Sequence, residues 1–219
     1  MGKYPCLVLD HDDTVVQSES TVNYPAFLNA LGVLRPGMTV SLRDFSLWTF
    51  QEGFTEMCVG HFGFTEAELA QQYDIWLDYV MTHTPPCFPA MSNLLQRQRE
   101  SGGLICVVSH SARENILRDY ETHFGMRPDC IYGWELGPQR RKPSPYPLDQ
   151  IMGAYGLSPS ELLVVDDMKS GFDMAQARSV PFAWAGWGRQ NLPEVAAFMK
   201  AHCRLSFASP AELEHFLFD

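Results

Sequence analysis

Lysine is scarce in this chain: only Lys3, Lys142, Lys169 and Lys200 occur, so none falls between Tyr4 and Arg141. The 16 basic residues face 26 acidic ones, a formal net charge of −10. That balance argues against the electrostatic grip on which nucleic-acid and anionic-membrane binding rest. Long apolar runs are missing too. No stretch approaches the ~20 residues needed to cross a bilayer. The segment Met1 to Asp13 turns acidic too soon for a secretory leader, so a soluble cytoplasmic protein is expected. There is no C-x-x-C pair and no cysteine beside a histidine at metal-ligand spacing. Cys6, Cys58, Cys87, Cys106, Cys130 and Cys203 lie far apart, several in apolar runs, and read as reduced core thiols. What is present suits a folded chain of one or two domains: 219 residues, 46% hydrophobic and 12% aromatic. A cation is the partner its acidity favours.

Short apolar runs ending in a polar residue recur. Cys6 to Leu9 precedes Asp10, Leu104 to Val108 precedes Ser109, and Leu162 to Val165 precedes Asp166. Continuous runs of this kind suit strands buried on both faces, hence a parallel sheet. Cys130 to Trp134, Val180 to Ala185 and Arg204 to Phe207 are further candidates, making five or six strands. Helical signals lie between them over Ser111 to His123, Tyr146 to Tyr155, Gly171 to Arg178 and Pro193 to Ala201, with Ser209 as N-cap of a last helix. From about residue 87 the chain therefore reads as βαβ units of a doubly wound, Rossmann-like α/β domain, with ligands expected at the carboxyl ends of the strands. Val16 to Pro86 breaks this alternation. Its helical patterns, Tyr24 to Leu31, Phe50 to Val59 and Thr65 to Met81, read as an insertion between the first and second strands. The expected division is 1–15 with 87–219 as the α/β core and 16–86 as a helical domain.

The densest polar signal is Asp10-His11-Asp12-Asp13-Thr14, directly after the first strand. Three carboxylates in four positions repel one another unless a cation sits among them. In an extended turn Asp10 and Asp12 point the same way, whereas His11 points away. Asp166-Asp167 ends another strand and opens on the same edge, so the two acidic groups form a hard-oxygen pocket suited to Mg²⁺. A lone D-x-D is more often a turn former, a strand-end Ser109 more often an N-cap, and a single Lys142 more often a solvated charge. Their occurrence together, each after an apolar strand, favours a site. Arg140 and Arg141 are expected to be a solvated basic turn.

In order, these pieces resemble the haloacid dehalogenase superfamily. Asp10-His11-Asp12-Asp13-Thr14 matches its first motif, D-x-D-x-T, and Val107-Val108-Ser109 its second. Lys142-Pro143-Ser144-Pro145 matches the third, and Asp166-Asp167 with Gly171 and Ala175 beyond matches the fourth. The order and strand context agree at all four and span nearly the whole chain. Asp13 stands where that family usually has Gly, Gln17 where Asp is frequent, and Asp166 where Gly or Glu is commoner. Asp13 can accept a left-handed turn, and it adds charge near the metal.

The resemblance implies a hydrolase of the helical-cap branch, similar to phosphoglycolate phosphatases and β-phosphoglucomutases, with residues 16–86 as the cap. It implies that Asp10 attacks phosphorus to form an aspartyl-phosphate and that Asp12 is the acid and base. Mg²⁺ would be held by Asp10, Asp167 and the Asp12 carbonyl, with Asp166 in the outer shell. Ser109 and Lys142 would bind phosphoryl oxygens, and Thr14 and His110 are further substrate-binding candidates. Retention of Asp12, with no lysine in the insertion, disfavours the family's dehalogenase and phosphonatase chemistries. The expected function is a Mg²⁺-dependent phosphatase acting on a small organic phosphomonoester. The insertion's only Arg residues are Arg35 and Arg43, so a rather neutral substrate is expected, with the cap's aromatics forming its own core. The alternatives are a phosphosugar mutase of the same superfamily and a catalytically weak, regulatory metal or phosphate binder. A response-regulator receiver would place its acidic pair first and lack the insertion.

Overall fold

A computed structural model describes residues 2–219. Its contacts divide the chain into two compact units, one running up to Gln17 and resuming at Cys87–Asp219, the other Ser18–Pro86. Val16 and Gln17 go with the first unit, two residues beyond the boundary read from sequence. Val16 bridges to both Asp12 and Cys87, and the Gln17 amide donates to the Cys87 carbonyl at 3.1 Å.

In chain order the first unit opens with β1 (Cys6–Leu9). The second unit then supplies α1 (Tyr24–Leu34), α2 (Leu42–Gln51), α3 (Phe54–Phe62) and α4 (Glu66–Thr82). The first unit resumes with α5 (Met91–Glu100), β2 (Leu104–Val108), α6 (Arg113–Phe124), β3 (Cys130–Tyr132), α7 (Tyr146–Tyr155), β4 (Leu162–Asp166), α8 (Lys169–Gln176), β5 (Phe182–Ala185), α9 (Pro193–His202), β6 (Leu205–Phe207) and α10 (Pro210–Phe218). The strands form one parallel sheet in the order β3-β2-β1-β4-β5-β6, the open doubly wound arrangement. In register, Leu9 faces Val107 on one side and Val165 on the other, so β1 lies inside the sheet.

The apolar strands are buried on both faces. Leu7, Leu9, Ile105, Val107, Leu163 and Val165 share a core with Leu94 and Leu95 of α5, Ile116 of α6, and Leu213 and Leu217 of α10. The alternate residues Cys6, Val8, Cys106 and Val164 are equally buried and project to the other face, because successive strand residues point opposite ways. All six cysteines are free thiols, and Cys6, Cys58 and Cys106 are buried. No helix among the described residues is long and apolar enough to cross a membrane.

The second unit has an aromatic core in which Phe27 meets Phe45, Phe54 and Phe62 at ring-centroid distances of 5.1–5.8 Å. The helix expected over Phe50 to Val59 is instead two. The chain breaks between α2 and α3 at Gly53, whose φ of 99° lies in the region that favours glycine. Thr65 caps α4 reciprocally with Glu68, as a Thr-x-x-Glu start dictates. Trp134, read as strand, begins a short 3₁₀ turn, and Val180 and Pro181 precede β5 rather than join it.

Candidate active site

Three neighbouring strands of a parallel sheet end at one edge, and each ends in a polar residue. The Asp10 amide donates to the Val165 carbonyl at 2.9 Å and the Ser109 amide to the Tyr132 carbonyl at 3.0 Å, so the ladder hands both residues out at the carboxyl edge. Asp166 is the last residue of β4. This brings carboxylate oxygens of Asp10, Asp166 and Asp167 within 4.8 Å of one another, all three residues buried. Lys142 joins them. Its ammonium is 2.8 Å from Asp10 Oδ1 and 2.6 Å from Asp166 Oδ2, and its side chain is 2% exposed. The other Asp166 oxygen, Oδ1, accepts the Met168 amide at 2.8 Å. Gly171 is required here, since a Cβ at that position would overlap the Asp166 side chain.

Burial and like charge dominate the electrostatics. Burial, then the neighbouring Asp10, pushes the Asp166 carboxyl up to about 7, with Lys142 opposing. Burial raises Asp167 well above the ordinary carboxylate range, with Arg189 opposing. Burial alone would lower Lys142, but Asp10 and Asp166 outweigh it and hold the ammonium above its ordinary value. Closely spaced carboxylates repel one another, and a cation among them relieves that repulsion. The donors are hard oxygens, the ligand type that Mg²⁺ takes, so the residues fit a divalent cation held by Asp10 and Asp167. Asp166 accepts from Lys142 on one oxygen and from the Met168 amide on the other.

Asp12 is held by two hydroxyls. Ser111 Oγ donates to its Oδ2 at 2.6 Å, and Ser109 Oγ lies 3.4 Å from the same oxygen. Ser109 also accepts the Ser111 amide at 3.1 Å. Thr14 is fully buried, and its hydroxyl faces Asp167 Oδ1 at 3.4 Å, a supporting place rather than one open to a substrate. His110 is exposed, and its Nε2 donates to the Lys142 carbonyl at 3.0 Å. His11 turns into the core, 1% exposed, with Nε2 3.0 Å from Asp119 Oδ2. Arg140 and Arg141 are not simply solvated. Each guanidinium lies over a ring, Tyr146 at 5.0 Å and Trp134 at 3.3 Å from the centroids. Flat cations stack readily on aromatic faces, which a count of charges in the sequence does not reveal.

Two residues at this site escaped the sequence reading. Ser111 lies two positions beyond Ser109, the spacing that returns an extended side chain to the same side. Arg189 follows β5 by four residues, is 4% exposed, and donates from Nε to Asp167 Oδ2 at 2.6 Å. Arg189 stands beyond the strand-end positions of the other site residues, on the far side of the Gly186-Trp187-Gly188 turn.

The profile of the haloacid dehalogenase-like hydrolase family matches residues 7–185. Solved structures match the fold over nearly all of the chain. A provisionally assigned haloacid dehalogenase-like hydrolase from Bacteroides fragilis is 20% identical, with a TM-score of 0.80 over 96% of this chain and 100% of its own. A phosphoglycolate phosphatase, so assigned by prediction, from Haemophilus somnus is 19% identical, with a TM-score of 0.76 over 97% of each chain. CbbY from Rhodobacter sphaeroides, solved in complex with phosphate, is 15% identical, with a TM-score of 0.74 over 96% of each. At these identities the likeness is one of fold. No curated protein matches the sequence.

Proposed function

The chain belongs to the haloacid dehalogenase-like hydrolase family, and we propose that within it this protein is a Mg²⁺-dependent phosphatase of a small organic phosphomonoester. The observation that carries the reading is the buried group of Asp10, Asp166 and Asp167 with the Lys142 ammonium between two of them. Asp10 attacks phosphorus, forming the aspartyl–phosphorus bond as the phosphorus–oxygen bond to the leaving alkoxide breaks. Asp12 gives that alkoxide its proton, then takes one from the water that hydrolyses the aspartyl-phosphate. Its carboxyl is kept in one orientation for both steps by the Ser111 hydroxyl. Lys142 and Ser109 hold phosphoryl oxygens and stabilise the charge that spreads over them.

Mg²⁺, held by Asp10, Asp167 and the Asp12 carbonyl, would supply when bound the positive charge that offsets repulsion between the Asp10 carboxylate and an anionic phosphate. Asp166 acts through Lys142 in the outer shell, and Thr14 through Asp167. His110 is the substrate-facing candidate among the flanking residues. The CbbY structure in complex with phosphate supports a phosphate ligand for this fold.

The helical unit serves as the cap domain that selects the leaving group. Its Arg35 is committed internally, donating to both Glu68 oxygens and to the Phe62 and Gly63 carbonyls, which supports a leaving group without a second phosphate. The test is phosphate release from sugar phosphates, phosphoglycolate, nucleotides and an aryl phosphate, with and without Mg²⁺. Turnover that needs Mg²⁺ and disappears in Asp10→Asn is expected. Activity that survives Asp10→Asn overturns the mechanism.

A further inference from the structure

The turn after β5, Gly186-Trp187-Gly188-Arg189, lies just past the span matched to the family and outside all four motifs. It grips the loop that follows β1. Trp187 Nε1 donates to the Thr14 carbonyl at 2.9 Å, and a Cβ at Gly188 would overlap the Asp13 carbonyl oxygen, so only glycine allows this approach. Arg189 then reaches two carboxylates from one edge of its guanidinium. Nε is 2.6 Å from Asp167 Oδ2, and Nη2 is 3.8 Å from Asp13 Oδ2. Both partners are buried, Asp13 at 6% and Asp167 at 0% exposed, and Asp13 itself takes a left-handed φ of 52°.

The charges are informative. Asp10, Asp12, Asp13, Asp166 and Asp167 are opposed by Lys142 and Arg189. Deleting Asp13 and Arg189 together would leave the sum unchanged, whereas deleting either alone would shift it by one unit. A buried charge without its partner is costly, and each charge near a bound ion raises or lowers its affinity.

We propose that Arg189 is a positioning residue of the hydrolytic site. It fixes Asp167 and cancels the charge of Asp13, so that Asp13 and Arg189 form a compensated pair that sets the affinity for the divalent cation. This rests on the reading of Asp167 as a metal ligand.

Asp13→Asn, Arg189→Met and the double variant test the pair, Asn being chosen because it tolerates the left-handed conformation. Mg²⁺ affinity is measured by titration calorimetry and thermal unfolding is measured in chelator. Asp13→Asn is expected to weaken Mg²⁺ binding about tenfold, since it leaves a positive charge in excess. Arg189→Met is expected to tighten it by a similar factor while lowering both kcat and the metal-free melting temperature. The double variant should return Mg²⁺ affinity to within about threefold of wild type and melt above Arg189→Met without metal. If Arg189→Met does not fold, Asp13→Asn and the double variant still decide. Single variants that bind Mg²⁺ like wild type, or a double variant that binds unlike it or melts no higher than Arg189→Met, overturn the inference alone. A wild-type protein that takes up no Mg²⁺ overturns the metal reading and the positioning role with it.

Discussion

At the scale of single residues, the Ser111 hydroxyl donates to the Asp12 carboxylate at 2.6 Å. Replacing it with alanine removes that donor without opening a large cavity. Ser111→Ala is expected to lower kcat about tenfold and leave KM within about twofold, because the lost contact orients a proton-transfer group and does not grip substrate. Steady-state kinetics on the best substrate of the panel checks this. Asp10, Asp12, Ser109, Asp166 and Asp167 could be located from sequence because each sits at or just past the end of an apolar strand, and a parallel sheet sends all such ends to one edge. Lys142 stood out through the rarity of its residue type. Arg189 and Ser111 did not stand out. A lone arginine in a glycine-rich turn looks like any solvated charge until its partners are seen, and a second serine after a strand looks like the start of a helix.

Elements with their own start signals were legible in the same way. The Thr65 to Glu68 box fixed the beginning of α4 because it satisfies two backbone donors reciprocally. Helix α5 was missed, although Met91, Leu94 and Leu95 are buried at helical spacing. The next position of that stripe is Gln98, fully buried, whose amide donates to the carbonyls of Tyr4 and Leu104. A polar residue on the buried face broke the apolar pattern on which periodicity depends. In the helical unit, hydrogen bonds from Arg35 and from the Thr65 amide hold the Glu68 carboxyl down to about 2. A depressed carboxyl stabilises the fold above its ordinary value of 4.5, and the benefit fades as pH falls through that value toward about 2. Thermal melts of wild type and Glu68→Gln should therefore differ at pH 6 and converge as the pH is lowered to 3 and below. A gap of constant size would show that Glu68 contributes by packing rather than charge.

For the molecule as a whole, the buried carboxylates that bear on a cation are those at the carboxyl edge of the sheet, Asp10, Asp166 and Asp167. Mg²⁺ that binds only the folded form should raise the melting temperature. The stabilisation is about 2.7 kcal/mol at one hundred times the dissociation constant, and scanning calorimetry across a Mg²⁺ series reads it directly. Asp10→Asn should blunt that response, since it removes one of the carboxylates.

The position of β1 bears on how the protein is made. It lies between β2 and β4, yet it leaves the ribosome before either, since these neighbours are encoded about a hundred and about one hundred and fifty residues later. At ordinary elongation speeds the innermost strand waits on the order of ten seconds for its first hydrogen-bonding neighbour. The intervening 69 residues, Ser18–Pro86, bury their own aromatic core and can collapse during that wait. Nascent chains arrested before residue 108 should therefore carry a folded helical segment behind an unpaired apolar strand, which makes Cys6–Leu9 the natural target for chaperones during synthesis.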